Sequence, residues 1–227
     1  MSSMIENRSS PLLFAALTLG AFILSYIPII NWPFSWLMTF FHEISHGIAA
    51  LVTGGSIVSI NLHLRGSGLC TSMGGIEFII TLAGYFGATA WGVGIYLMAD
   101  KLNKRHTDEM ALVMAGIILI TAAFWGRDLM TLIIMGVLIT LLLFVMKLQD
   151  NAFIKFALKF IGIYILLDAI KAPLNLIDGR HFGDGARMAD LTGIPELIWA
   201  ALWFSAGGAG LYALWNITKK EEGSNEL

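Results

Sequence analysis

Two histidines and a glutamate fall within five consecutive residues, His42-Glu43-Ile44-Ser45-His46. On a helix, residues four apart stand one above the other, rotated by only about 40°. Both imidazoles then face one way and can grip a single ion. Glu43 sits a turn away from His46 on nearly the same side. Two neutral imidazoles on a divalent metal, beside a carboxylate that takes a proton from attacking water, make the donor set of metal-dependent peptide hydrolysis. His42 and His46 are the expected ligands and Glu43 the expected general base.

A hydrolytic zinc site takes three protein ligands and keeps its fourth position for water. Several residues could supply the third. His63 lies in a predicted strand, His106 in a charged loop and His181 in a late loop, and each reads more simply as a solvated side chain. The carboxylates Asp168, Asp178, Asp184 and Asp190 all fall late in the chain. Asp178 and Asp190 read as turn and cap residues. Asp168 lies inside an apolar stretch, where an ionisable group costs about 2.5–3.5 kcal/mol on insertion scales. Its plainer reading is a pair with Lys171 on the next helical turn. From the residues alone the third ligand stays open among these groups.

The helix that carries the motif must itself sit somewhere, and composition says where. Of 227 residues, 57% are apolar and only 13% charged, against about 25% charged in soluble domains. The mean hydropathy is +0.76. The net charge is −2, with no basic stripe. These values exclude a soluble globular enzyme, a nucleic-acid binder and a disordered chain. A single cysteine, Cys70, excludes an intramolecular disulfide framework and a cysteine-rich zinc site. The class that remains is an all-α polytopic membrane protein, in contact with lipid and not with nucleic acid.

A spanning helix needs about 20 mostly apolar residues. Seven stretches qualify as candidates: Leu12–Ile30, Trp36–Val52, Glu77–Met98, Met110–Trp125, Leu129–Met146, Phe153–Ala172 and Pro195–Trp215. They leave no segment for a soluble domain, so residues 1–227 read as one integral-membrane domain. Between the second and third spans, Val58, Ile60, Leu62 and Leu64 alternate with Ser59, Asn61 and His63, a period of two that predicts a strand. Gly66, Gly68, Gly74 and Gly75 then supply turns. The expected element is a short β-hairpin lying against the spans, because bare strand edges are not tolerated in lipid unless protein covers them. Val58, Ile60, Asn61 and Leu62 could receive an unwound substrate segment as an added strand. The glycines of the third span (Gly84, Gly87, Gly92, Gly94) and of the last (Gly207, Gly208, Gly210) read as close helix packing.

With these motifs the chain resembles the site-2 protease family of intramembrane zinc metalloproteases. In that family H-E-x-x-H lies in a membrane helix, followed far downstream by an Asn and a Leu-Asp-Gly-Gly-Arg-like motif. Here Asn175-Leu176-Ile177 precedes Gly183-Asp184-Gly185-Ala186-Arg187. The closer likeness is to the compact, all-membrane branch, carried by Gly54-Gly55, Ile57–Leu64, Asp168, Thr192-Gly193-Ile194-Pro195, Trp199 and Trp203. It runs from Leu12 to about Trp215. The resemblance implies one zinc ion per chain, with Asp184 as third ligand and Asp168 as the alternative. It assigns Asn175 a substrate-positioning role. It further implies an endopeptidase acting on membrane-protein substrates, as a multi-pass protein of a bacterial cytoplasmic membrane. The rival class is a non-proteolytic metal-binding membrane protein, either a transporter or a substrate-retaining pseudoprotease. A transporter is expected to show inverted repeats, and the sequence has no such symmetry.

Overall fold

Ser10 opens the first helix: its hydroxyl accepts the Leu13 N–H at 3.1 Å, and Pro11 follows at a position where a missing N–H costs nothing. The computed structural model describes residues 10–101, 104–147, 151–176 and 182–223. Among them the order is α1 Pro11–Leu24, α2 Trp32–Val52, β1 Ser56–Leu62, β2 Gly68–Met73, α3 Glu77–Lys101, α4 Lys104–Trp125, α5 Leu129–Lys147 and α6 Asn151–Lys171. A 3-10 turn, Ala172–Leu176, follows, then α7 Asp184–Thr192 and α8 Glu196–Gly223.

The structure is mostly helical, with one small antiparallel sheet, β1 on β2. Among the described residues four helices are long and apolar enough to cross a membrane: α3, α4 from His106, α5 and α8 to Lys220. The sequence expectation was seven, and the differences have local causes. The first stretch does not stay helical to Ile30. It stops at Leu24, where Ser25 Oγ bonds back to the Phe22 carbonyl at 2.7 Å, and Pro28 bars any restart. The second and sixth stretches fold as helices of 21 residues each, α2 and α6. Their polar content keeps them below the apolarity of a simple span: α2 carries the His-Glu-His motif, and α6 carries Lys155, Lys159, Asp168 and Lys171.

Close crossings hold α2, α3 and α6 together. At the α3–α6 contact, a methyl group on Gly92 would lie 2.8 Å from the Gly162 carbonyl oxygen, and one on Gly162 would lie 2.8 Å from that of Gly92. Only glycine allows backbones that near. Further along the same interface, Lys159 pairs with Asp100 at 2.5 Å with both side chains buried. The Asn31 side chain, just ahead of α2, accepts the Tyr164 hydroxyl of α6. Phe40, Phe41, Ile60, Leu62, Ile118, Ile134 and Ile163 are among the buried core side chains.

The hairpin is fastened at both ends. Its turn lies on α2: Thr39 Oγ1 donates to the Gly66 carbonyl at 2.7 Å and Trp36 Nε1 to the Leu64 carbonyl at 2.9 Å. Gly66 has φ +81° and sits directly on Ser35, so no side chain fits there. The far edge of β1 lies on α5. The Leu62 N–H donates to Thr131 Oγ1 at 2.8 Å, and that hydroxyl donates to Asp128 Oδ2 at 2.6 Å. Asp128 also caps α5 by accepting the Thr131 N–H at 2.9 Å. These two bonds from Thr131 hold the Asp128 carboxyl below its ordinary range.

Candidate metal centre

α2 carries His42 and His46 on one face, as their spacing requires, and their rings meet edge to face with centroids 4.7 Å apart. Their Nε2 atoms are 3.1 Å apart. A third atom joins them from 138 residues further on. Asp184 Oδ2, at the start of α7, lies 3.1 Å from His42 Nε2 and 3.3 Å from His46 Nε2. Tetrahedral zinc, with metal–ligand distances of roughly 2.0–2.1 Å, puts its ligand atoms about 3.3 Å apart. The donor atoms therefore already have the spacing of three corners of a zinc tetrahedron.

The proton bookkeeping agrees with that geometry. His46 Nδ1 donates to the Ile80 carbonyl at 2.6 Å, which leaves Nε2 facing the other two atoms, free to exchange its proton for a metal. Burial works to raise the Asp184 carboxyl, but the imidazoles of His46 and His42 outweigh it and hold it below the ordinary carboxylate range. It is ionised, as a ligand must be. Two imidazole nitrogens and one carboxylate oxygen at this spacing are a donor set that fits a divalent metal.

Neighbouring elements shape the space around these atoms. A methyl group on Gly84 of α3 would lie 2.5 Å from both His42 Cε1 and His46 Cε1. The glycines of the third span thus do more than pack helices: this one seats the imidazoles. Tyr85 rests edge-on against His42, with centroids 4.5 Å apart, and is backed by Trp203 at 5.0 Å. Gly183, with φ +92°, turns the chain into α7 so that Asp184 can face the histidines. Arg187, one helical turn later, pairs with Glu77 at the start of α3.

Glu43 is buried beside the cluster but is not part of it. Its Oε2 accepts the Cys70 N–H of β2 at 2.7 Å. The Cys70 thiol is pushed up to about 12 by burial and by the Glu43 and Asp184 charges, and it lies outside the three-atom group.

A cleft of about 1080 Å³ opens onto the site, lined by His42, Glu43, His46, Asp168, Asp184 and the Gly68–Ser72 stretch of β2. The register explains why β2 faces it. The Cys70 N–H turns away from β1 to reach Glu43, so by the two-residue alternation Gly68 and Ser72 also turn their backbone groups outward. This corrects the expected open edge. β1 was expected to face incoming substrate, but Ile60 and Leu62 are in the core and the outward N–H of Leu62 is taken by Thr131. Val58, Ile60, Asn61 and Leu62 do not line the cleft; β2 does.

The other candidates stand apart from the cluster. Asp168 lines the cleft but is outside the three-atom group, 3.8 Å from Lys171 Nζ. His63 is exposed in the hairpin turn, His106 is exposed near the start of α4, and Asp190 is exposed on α7. Asn175 falls in the 3-10 turn with its side chain outside the described residues, and Asp178 and His181 also lie outside them. Sequence reasoning missed the Ile80 carbonyl, Gly84, Tyr85 and the β2 edge. Only the glycines left a signal, a row of small residues on the span that packs against the motif helix.

Among known proteins, no curated protein and no solved structure matches the chain. A family model does, over residues 14–214, and its description is Peptidase M50B-like. A match over that length, on a chain with four membrane-length apolar helices and a His-His-Asp cluster beside a glutamate, shows that the protein is a member of the Peptidase M50B-like family, within the site-2 protease group.

Proposed function

We propose that the protein is a zinc endopeptidase that cuts membrane-protein substrates within or near their membrane-spanning segments. The observation that carries this reading is the convergence of His42 Nε2, His46 Nε2 and Asp184 Oδ2 at 3.1–3.3 Å beside the buried Glu43 carboxylate. Zinc held by these three atoms supplies Lewis acidity toward a peptide carbonyl. Glu43 takes a proton from the attacking water and returns it to the leaving amine. The Cys70 N–H keeps that carboxylate aimed while leaving its second oxygen free.

The topology we read adds α2 and α6 to the four apolar helices, since their polar residues face protein or the cleft. α1, about 21 Å long by its 14 residues, is shorter than the roughly 30 Å hydrocarbon core. The exposed side chains of Tyr26, Ile27, Ile29 and Ile30 extend its apolar surface beyond Leu24. The protein is then multi-pass, seven segments in one domain, in a bacterial cytoplasmic membrane. Purified without chelator, it should hold about one zinc per chain and cut a co-reconstituted single-span protein. A zinc content near zero would sink the reading.

A peptide bond in a helix is shielded by its own backbone, so a substrate must be extended before it is cut. The edge of β2 lines the cleft, and its outward groups at Gly68 and Ser72 suit an extended segment added as a third strand. The edge donor of Cys70 is engaged by Glu43, which brings that strand alongside the base. Ser72→Pro removes an outward N–H without touching the β1–β2 ladder. It is expected to abolish most cleavage while zinc content stays at the wild-type level, whereas Val58→Pro on the covered strand tests the alternative edge. Unchanged cleavage by Ser72→Pro rejects the β2 role.

A further inference from the structure

The two ligand histidines are not supported alike. His46 Nδ1 has its acceptor, the Ile80 carbonyl at 2.6 Å. His42 Nδ1 is buried and has no hydrogen-bond partner among the described residues. When Nε2 holds a metal, the ring proton must sit on Nδ1, and ligand histidines almost always give that proton to a carboxylate, carbonyl or water. An unmet Nδ1–H costs free energy.

Asp168 is the carboxylate placed to meet it. It lines the same cleft as His42 and lies near enough to feel its charge. Its obvious partner is held elsewhere. Lys171 donates to Ser25 Oγ at 2.8 Å and sits over the rings of Tyr26, at 5.6 Å, and Phe22, at 6.0 Å. That cage leaves Lys171 Nζ at 3.8 Å from Asp168, beyond hydrogen-bond length. Lys171 faces only Oδ1, so a carboxylate that lines the cleft has its second oxygen to offer.

We infer that Asp168 is the outer acceptor of the metal centre, taking the Nδ1 proton of His42 when the metal is bound and so fixing the tautomer and ring angle that present Nε2 to the metal. Asp168 is on this view a positioning residue and not a ligand. The inference rests on the metal-centre reading above, and its test separates the two.

Zinc affinity of the purified full-length protein is measured by competition with a chromophoric chelator. Asp168→Ala should weaken zinc binding by about 10–100-fold, the usual cost of losing such a partner, and still reach one zinc per chain at saturation. Asp168→Asn, which keeps an acceptor oxygen, should recover much of that loss. Lys171→Met should leave zinc affinity unchanged even where it lowers thermal stability. In ¹⁵N-histidine-labelled protein loaded with zinc, the Nδ1–H of His42 should exchange with solvent faster in Asp168→Ala than in wild type. Three results overturn the inference: wild-type zinc affinity in Asp168→Ala, an equal loss in Lys171→Met, or no zinc bound at saturation in Asp168→Ala, which makes Asp168 a direct ligand. If the wild-type protein itself binds no zinc, the metal-centre reading fails first.

Discussion

Glu43→Gln should lower cleavage of a membrane-spanning substrate by roughly 10²–10⁴-fold, the range for losing general acid–base catalysis, with zinc content still near one per chain. The amide matches the carboxylate in size, and its oxygen can still accept the Cys70 N–H that Glu43 Oε2 accepts at 2.7 Å. The hairpin therefore stays docked and the three ligand atoms are untouched. Only the ability to take a proton is gone. If the protein were a transporter, the same change would alter metal flux and leave no proteolysis to lose. If the motif were a structural polar cluster, the change would mainly raise yield, since a neutral amide is less costly to bury than a carboxylate. Full cleavage by the variant, measured with zinc content and expression level in the same preparation, ends the proposed mechanism.

Asp184→Ala is expected to reduce zinc affinity by more than about 100-fold, beyond the usual cost of losing an outer partner. It removes one of three donor atoms and leaves His42 and His46 with two, short of the three protein ligands a catalytic zinc needs. Asp190→Ala, an exposed change on the same short helix, is the control and should bind zinc as wild type does. Chelator competition on the two variants decides the matter. Retention of tight zinc by Asp184→Ala removes α7 from the site.

Much of this was legible in the chain because the signals are local. The i, i+4 spacing puts His42 and His46 on one face whatever else the fold does, and their rings do meet. The period-two run after Gly54-Gly55 folds as β1, over Ser56–Leu62, and its partner strand forms from Gly68 to Met73. Glu77, Leu129 and the region of Pro195 mark helix starts within a residue of the observed ones. What was not legible depends on contacts far apart in sequence. Which edge of a hairpin stays open is decided by what covers the other, here Thr131 on Leu62, 69 residues away. The spacing of residues 42–46 says nothing about Asp184 either. It reaches the histidines only because Gly183 takes a positive φ and α7 docks beside α3. The early end of α1 was readable in principle from Pro28, but uniform apolarity masked it.

The ligand set is divided along the chain in a way that bears on how the protein is made. His46 and Asp184 are separated by 138 residues, and the helices α3 to α6 lie between them. At a synthesis rate of about 5–20 residues per second, roughly 7–28 s pass between the emergence of the second histidine and that of the aspartate. During that interval the nascent polypeptide holds a base and two imidazoles but no closed site. On the proposed reading, a chain that ends before α7 carries only two of the three ligands. On the proposed function, cleavage starts only after nearly every segment has been delivered to the membrane.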